Sequence, residues 1–154
     1  MSEFDKIVAR AARLCSGAEK CSHDIRTKMV GWGLDEEEAG KAIDYLIENK
    51  FLDDRRFAAS FARDKFRFNK WGRIRIAYAL REKKIPGAVI EASLESIDPE
   101  EYRSVLTGLL EDKIRSIGSI SKASDKAKVV RFAAQKGFSS DEIFKALDQI
   151  KDPT

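Results

Sequence analysis

Apolar residues recur along this chain at spacings of three and four, with almost no two-residue alternation, the period of amphipathic helices. Phe4, Ile7, Ala11 and Leu14 mark a first stripe, and Ile25 and Met29 a second, shorter one. Ala39, Ala42, Ile43, Leu46 and Ile47 form the buried face of a third helix opened by Asp35-Glu36-Glu37-Glu38, where Asp35 caps and Glu38 reaches back. Asp98-Pro99 and Ser139-Ser140-Asp141-Glu142 are further helix starts, and Pro86 opens another after Ile85. About nine helices and no strands are predicted, an all-α fold.

The helices repeat. Ile25, Met29, Leu34, Ile43 and Leu46 align with Ile76, Leu80, Ile85, Leu94 and Ile97 at a constant offset of 51, and with Val129, Ala133, Phe138, Leu147 and Ile150 at a further 53. In each copy a helix ends near an apolar residue (Leu34, Ile85, Phe138), a short break follows, and a second amphipathic helix begins. A longer helix precedes each pair, at 4–16, 54–69 and 99–117. The chain therefore reads as three tandem three-helix units, 1–52, 53–98 and 99–154, each burying its stripe partly against its neighbours in an elongated or curved array.

Composition narrows the chemistry. No apolar run reaches the roughly 20 residues that span a bilayer, and the start Met1-Ser2-Glu3-Phe4-Asp5-Lys6 has no apolar signal region, so a cytoplasmic protein is expected. Cys15, Cys21 and His23 are one ligand short of a structural zinc set, and neither metal nor cofactor is expected. No P-loop, Gly-rich dinucleotide loop, nucleophile elbow or HExxH motif occurs, and a single histidine weakens acid–base readings. No catalytic residues are assigned.

The net charge of +3 over 154 residues conceals a local excess. Arg55, Arg56, Arg63, Lys65, Arg67, Lys70, Arg73, Arg75, Arg81, Lys83 and Lys84 fall within 55–84 against only Asp64 and Glu82, a net of +9 in thirty residues. At about 100° per residue, Phe57, Phe61 and Phe68 form an aromatic seam assigned to the core, while Arg56, Arg63, Arg67 and Lys70 form a separate basic ridge. Phe66 and Trp71 are placed beside that ridge, where aromatics suit single-strand stacking or a protein interface. Ile74, Ile76, Ala77 and Leu80 are taken as the packing face of the next helix. Gly72 is taken to supply a backbone conformation that side chains disfavour. Asp53-Asp54 reads as an N-cap with a first-turn acid, and as the pair best placed to fix how neighbouring units join.

The run Phe51-Leu52-Asp53-Asp54-Arg55-Arg56-Phe57-Ala58, then Phe61-Ala62-Arg63, Trp71-Gly72-Arg73-Ile74-Arg75-Ile76 and Leu80-Arg81-Glu82-Lys83-Lys84-Ile85, resembles the central signature of the RecX regulatory proteins. That pattern has an apolar pair, two acids, a basic residue, Arg-Phe-Ala, and an aromatic-Gly step into a helix ending Lys-Gly-Ile. Trp71 stands where Tyr or Phe is commoner, Arg73 where Pro is common and Lys84 where Gly is common. The resemblance implies a non-catalytic modulator of the RecA recombinase; an elongated monomer is the default expectation for the array. Such a protein would bind RecA–DNA filaments in their groove, contact single-stranded and also double-stranded DNA, and reduce RecA ATPase, strand exchange and recombination in DNA repair and the SOS response. The eleven cations, with Phe66 and Trp71, form the expected DNA- or RecA-binding surface. A sequence-nonspecific DNA-binding helical module acting without RecA is the alternative.

Overall fold

A computed structural model describes residues 1–150; the last four residues of the third expected unit lie outside the described residues. Among the described residues there are nine helices: α1 (Glu3–Gly17), α2 (Ser22–Gly31), α3 (Glu36–Glu48), α4 (Asp54–Asn69), α5 (Arg73–Glu82), α6 (Gly87–Glu95), α7 (Pro99–Ile117), α8 (Ala123–Lys136) and α9 (Ser140–Asp148). No helix among these residues is long and apolar enough to cross a membrane. The chain forms two compact units. Unit 1 holds residues 1–60 and 80–93, and unit 2 holds 61–79 and the described residues from 94 onward, so α4 and α5 lend residues to both.

The expected caps close the helix ends. Asp35 accepts from the Glu38 N–H (2.8 Å) while Glu38 accepts from the Asp35 N–H (3.0 Å). Ser139 and Glu142 form the same reciprocal pair at α9, and Asp98 accepts from Glu101 at α7, with Pro99 in the first turn. Such caps satisfy amide protons that no helical carbonyl can reach. Asp53 caps its own helix, accepting from the Arg55 and Arg56 N–H groups (2.9 and 3.2 Å). Asp54 instead accepts from the Ser22 N–H (2.9 Å), capping α2, whose own N-cap residue Cys21 contributes no side-chain bond.

The repeat has a backbone cause. At the C-termini of α2, α5 and α8 the chain turns through positive φ at Gly33 (121°), Lys84 (62°) and Gly137 (107°). The next residue then donates back five positions: Leu34 to Met29, Ile85 to Leu80 and Phe138 to Ala133, at 3.1, 3.2 and 3.3 Å. These are Schellman-type closures, in which the residue after the turn and its carbonyl acceptor are apolar partners. All six are buried, so the spacing that recurs in the sequence is the spacing this closure requires.

In unit 1, α1, α2 and α3 pack together around Ile7, Ala11, Ile25, Met29, Leu34, Ala42 and Leu46. In unit 2, α7, α8 and α9 pack together; the Phe66 ring stacks on Tyr102 with centroids 5.7 Å apart, and Tyr102 meets Phe138 at a tilt of 50° with centroids 5.1 Å apart.

Three expectations for the second repeat are corrected. The aromatic seam of α4 is not its core face. Phe57 is buried and Phe61 half-buried, but Phe68 is 81% exposed. The fully buried positions are Ala58, Ala62 and Phe66, a line at i, i+4 and i+8 whose two alanines permit close approach of neighbouring elements but carry little hydropathy. On α5, Ile76, Ala77 and Leu80 are buried as expected, whereas Ile74 is 56% exposed. Finally, Gly72 does not adopt positive φ. It is needed for proximity, because a Cβ there would lie 2.4 Å from the carbonyl carbon and oxygen of Gly137.

Candidate functional site

The glycine contact in unit 2 brings the end of α8 against the start of α5. The Gly72 N–H donates to the Lys136 carbonyl (2.7 Å) and the Ile74 N–H to the Gly137 carbonyl (3.0 Å). Amide protons at the positive end of α5 thus meet carbonyls at the negative end of α8. The Arg73 N–H donates to the Tyr102 hydroxyl (3.0 Å), which in turn donates to Glu142 (3.4 Å). Burial, with Glu142 adding to it, pushes the Tyr102 hydroxyl up to about 12. The Arg73 guanidinium lies 3.9 Å above the Tyr102 ring and 3.4 Å from Glu142. Arg73 is therefore built into the packing of α5 on α7 and α9.

Several other expected site residues are engaged by acids of their own unit, all but one of them distant in the chain. In unit 1, Arg56 pairs with Glu19 at 2.9 Å and donates to the Lys50 carbonyl (3.1 Å). Lys83 pairs with Asp24 at 2.7 Å and lies 6.0 Å from the Phe57 ring centre. Burial would raise the Asp24 carboxyl, but the hydrogen bond and charge of Lys83 outweigh it and hold the group below its usual value; the same bond raises Lys83. In unit 2, Arg67 lies 3.5 Å from Glu101, and Arg63 3.7 Å from Asp64. The basic ridge is thus not free of acid: Glu19 and Glu101 approach it from elsewhere in the chain. Phe66 is 2% exposed and offers no surface ring, which corrects its placement beside the cations.

A different set gathers around Trp71 in unit 2. The Arg75 guanidinium sits 4.2 Å from the Trp71 ring centre and the Lys65 ammonium 5.0 Å from it, with Lys65 also 5.5 Å from the Phe61 ring. Phe61 meets Trp71 edge-on at 6.4 Å. Arg75 donates to the Gln135 carbonyl (3.3 Å), and Lys136 donates to the Asn69 carbonyl (2.7 Å), next to Lys70. Lys70 itself holds a positive φ of 56°. Partial burial, then Arg75 and Lys70, push the Lys136 ammonium below its usual proton affinity. No carboxylate among the described residues pairs with Lys65, Lys70, Arg75 or Lys136. Lys136 lies outside the basic stretch. Its only sequence signal is its place in the last turn of a helix ending at Gly137. Arg55, Arg81 and Lys84, in unit 1, are exposed.

A groove of about 1030 Å³ in unit 2 is bordered by Tyr102, Arg103, Glu111, Glu142, Lys145 and Asp148. It mixes both signs of charge and concentrates neither. Among the described residues, no three His, Cys, Asp or Glu side chains converge as a metal site would require. Cys15 and Cys21 are buried, and burial pushes the Cys21 thiol up to about 11.

Comparison with known proteins adds two family models: "RecX, second three-helix domain" matches residues 53–94, and "RecX, third three-helix domain" matches 100–147. "Regulatory protein RecX" of Clostridium botulinum (strain Eklund 17B / Type B) is 35% identical over 126 residues, covering 80% of this chain and 58% of that protein. "Regulatory protein RecX" of Vibrio parahaemolyticus is 30% identical over 140 residues, covering 89% and 86%. The chain thus spans rather more than half the length of the clostridial relative. In fold it is similar to the crystal structure of RecX from Lactobacillus salivarius, with a TM-score of 0.86, 20% identity and 96% of each chain covered.

Proposed function

Because the chain belongs to the RecX family of regulatory proteins, we propose that it is a non-catalytic cytoplasmic regulator that binds RecA–DNA filaments and lowers RecA ATPase, strand exchange and recombination. In this reading it acts as a monomer of three three-helix units, 1–52, 53–98 and 99–154. The observation that carries the reading within this chain is the set of cations not matched by carboxylates. In unit 2, Lys65 and Arg75 face the Trp71 ring and Lys70 precedes it in the chain, none of them with an acid partner; in unit 1, Arg55, Arg81 and Lys84 are exposed cations. A surface of one sign suits a filament whose DNA carries a dense line of negative charge. Arg56, Arg67, Arg73 and Lys83, each held by a carboxylate, support the fold first.

The test is DNA-dependent ATP hydrolysis by the RecA of the same cell, on single-stranded DNA in excess, with this protein titrated in. Loss of hydrolysis at amounts well below RecA is expected. Replacing Lys65, Lys70 and Arg75 together by Glu should leave helicity intact and abolish that loss. A folded triple variant that inhibits as well as the parent removes this surface from the mechanism. Inhibition that tracks the amount of DNA rather than of RecA would instead favour a DNA-binding module acting alone.

A further inference from the structure

We propose that Lys65, Lys70, Arg75 and Lys136 form one preassembled seat for consecutive phosphates of a single nucleic-acid strand, and that Trp71 positions two of these cations rather than stacking on a base. The inference rests on the regulatory reading only in taking nucleic acid as the ligand.

Three elements converge to make the seat: the last two turns of α4 with the residue after it, the first turn of α5, and the last turn of α8. Their alignment is fixed by main chain. The Gly72 N–H is bonded to the Lys136 carbonyl, the Lys136 ammonium to the Asn69 carbonyl and the Arg75 guanidinium to the Gln135 carbonyl. Each of these bonds uses a neutral acceptor, so none cancels a positive charge. The Trp71 ring already faces the Arg75 guanidinium and the Lys65 ammonium. Its π charge is engaged by cations, and its neighbour Phe61 braces it edge-on. Like charges gathered without a carboxylate are mutually repulsive; at Lys136 partial burial comes first and Arg75 and Lys70 add to it in lowering the ammonium's proton affinity. A ligand that relieves several of them at once needs closely and regularly spaced anions. One nucleic-acid strand carries one charge per roughly 3.4 Å of helix axis. Carboxylates on a protein surface are sparser, and an acidic protein face is the lesser fit.

The experiment uses the full chain and fluorescent 20-nucleotide probes, one of thymidine and one abasic, followed by anisotropy across a salt series. The parent should bind both probes within about threefold of one another, because the phosphates are common to both. Lys136→Gln should weaken binding about fivefold and lower the slope of log affinity against log salt by about 1. Lys136→Arg should restore both, and Lys128→Gln, an exposed lysine on the same helix, should change neither. Unchanged affinity and slope for Lys136→Gln overturn the seat. An abasic probe bound more than tenfold weaker overturns the role given to Trp71, since stacking would then carry the affinity. Absence of binding to either probe at low salt, or displacement of both by polyglutamate at equal charge concentration, also overturns it. Failure of the regulatory reading shows elsewhere, as a RecA ATPase that the parent does not alter while the Lys136→Gln effect on DNA persists.

Discussion

In unit 1, Lys83 and Arg56 end on Asp24 and Glu19, carboxylates contributed by the first three-helix stretch. In unit 2, Lys65, Arg75 and Lys136 end on a tryptophan ring and on backbone carbonyls. All of these cations except Lys136 belong to the same thirty-residue basic stretch. The difference lies in what the fold brings to meet them. A carboxylate removes a cation from the field that a polyanion would feel, whereas an aromatic face or a carbonyl fixes its position and leaves the charge in place. Counting charges along a chain measures the supply of cations; tertiary partners decide which of them remain available.

The comparison breaks most completely at Gly72. Gly72→Ala places a methyl against the Gly137 carbonyl. It should cost unit 2 about 3 kcal/mol, read by chemical denaturation, and should separate Lys136 from Lys70 and Arg75. A variant as stable as the parent would show that the two backbones can part without loss. Tyr102→Phe removes a buried hydroxyl that serves Arg73 and Glu142 at once. A loss of about 1–2 kcal/mol is expected, while DNA affinity stays near that of the parent because Arg73 lies outside the phosphate seat.

The remaining effects are smaller. Lys84→Gly should stabilise the chain by about 0.5–1 kcal/mol, since glycine holds the left-handed turn at φ 62° without steric cost. A loss of stability in thermal melts would mean that the lysine contributes more than its backbone position suggests. Asp24→Asn should cost only a few tenths of a kcal/mol, because the pair with Lys83 is partly exposed. Its pH signature has a definite sign. The Asp24 carboxyl is lowered in the folded state, so its contribution is complete above the ordinary value of 3.8 and fades as pH falls through the lower folded value. Melts near pH 7 and in the acid range, compared between parent and Asp24→Asn, should converge at low pH.

Most of the architecture was legible from the chain. The five-position repeat, the capping boxes at Asp35 and Ser139 and the proline start at Pro99 are local rules, and the Met29–Leu34, Leu80–Ile85 and Ala133–Phe138 pairs are five residues apart. Asp53-Asp54 was legible in kind, though only the structure divides its work between α4 and α2. Where the reading failed, the cause was distance or weight. The Ala58–Ala62–Phe66 face lost to the heavier Phe57–Phe61–Phe68 pattern because alanine scores little by hydropathy and gains by allowing close contact. Glu19 and Asp24 lie 37 and 59 residues before the cations they meet, and Lys136 follows Asn69 by 67 residues. No window along the chain contains both partners of such a pair.

The joint between α5 and α8 has one more consequence, for observing motion. The amide protons of Gly72 and Ile74 are held by carbonyls of a segment 64 and 63 residues further along the chain, not by their own helix. They can exchange with solvent only when that segment moves off. Two backbone protons therefore form a built-in clock for undocking, and their exchange rates in deuterated water would time its opening with no label attached.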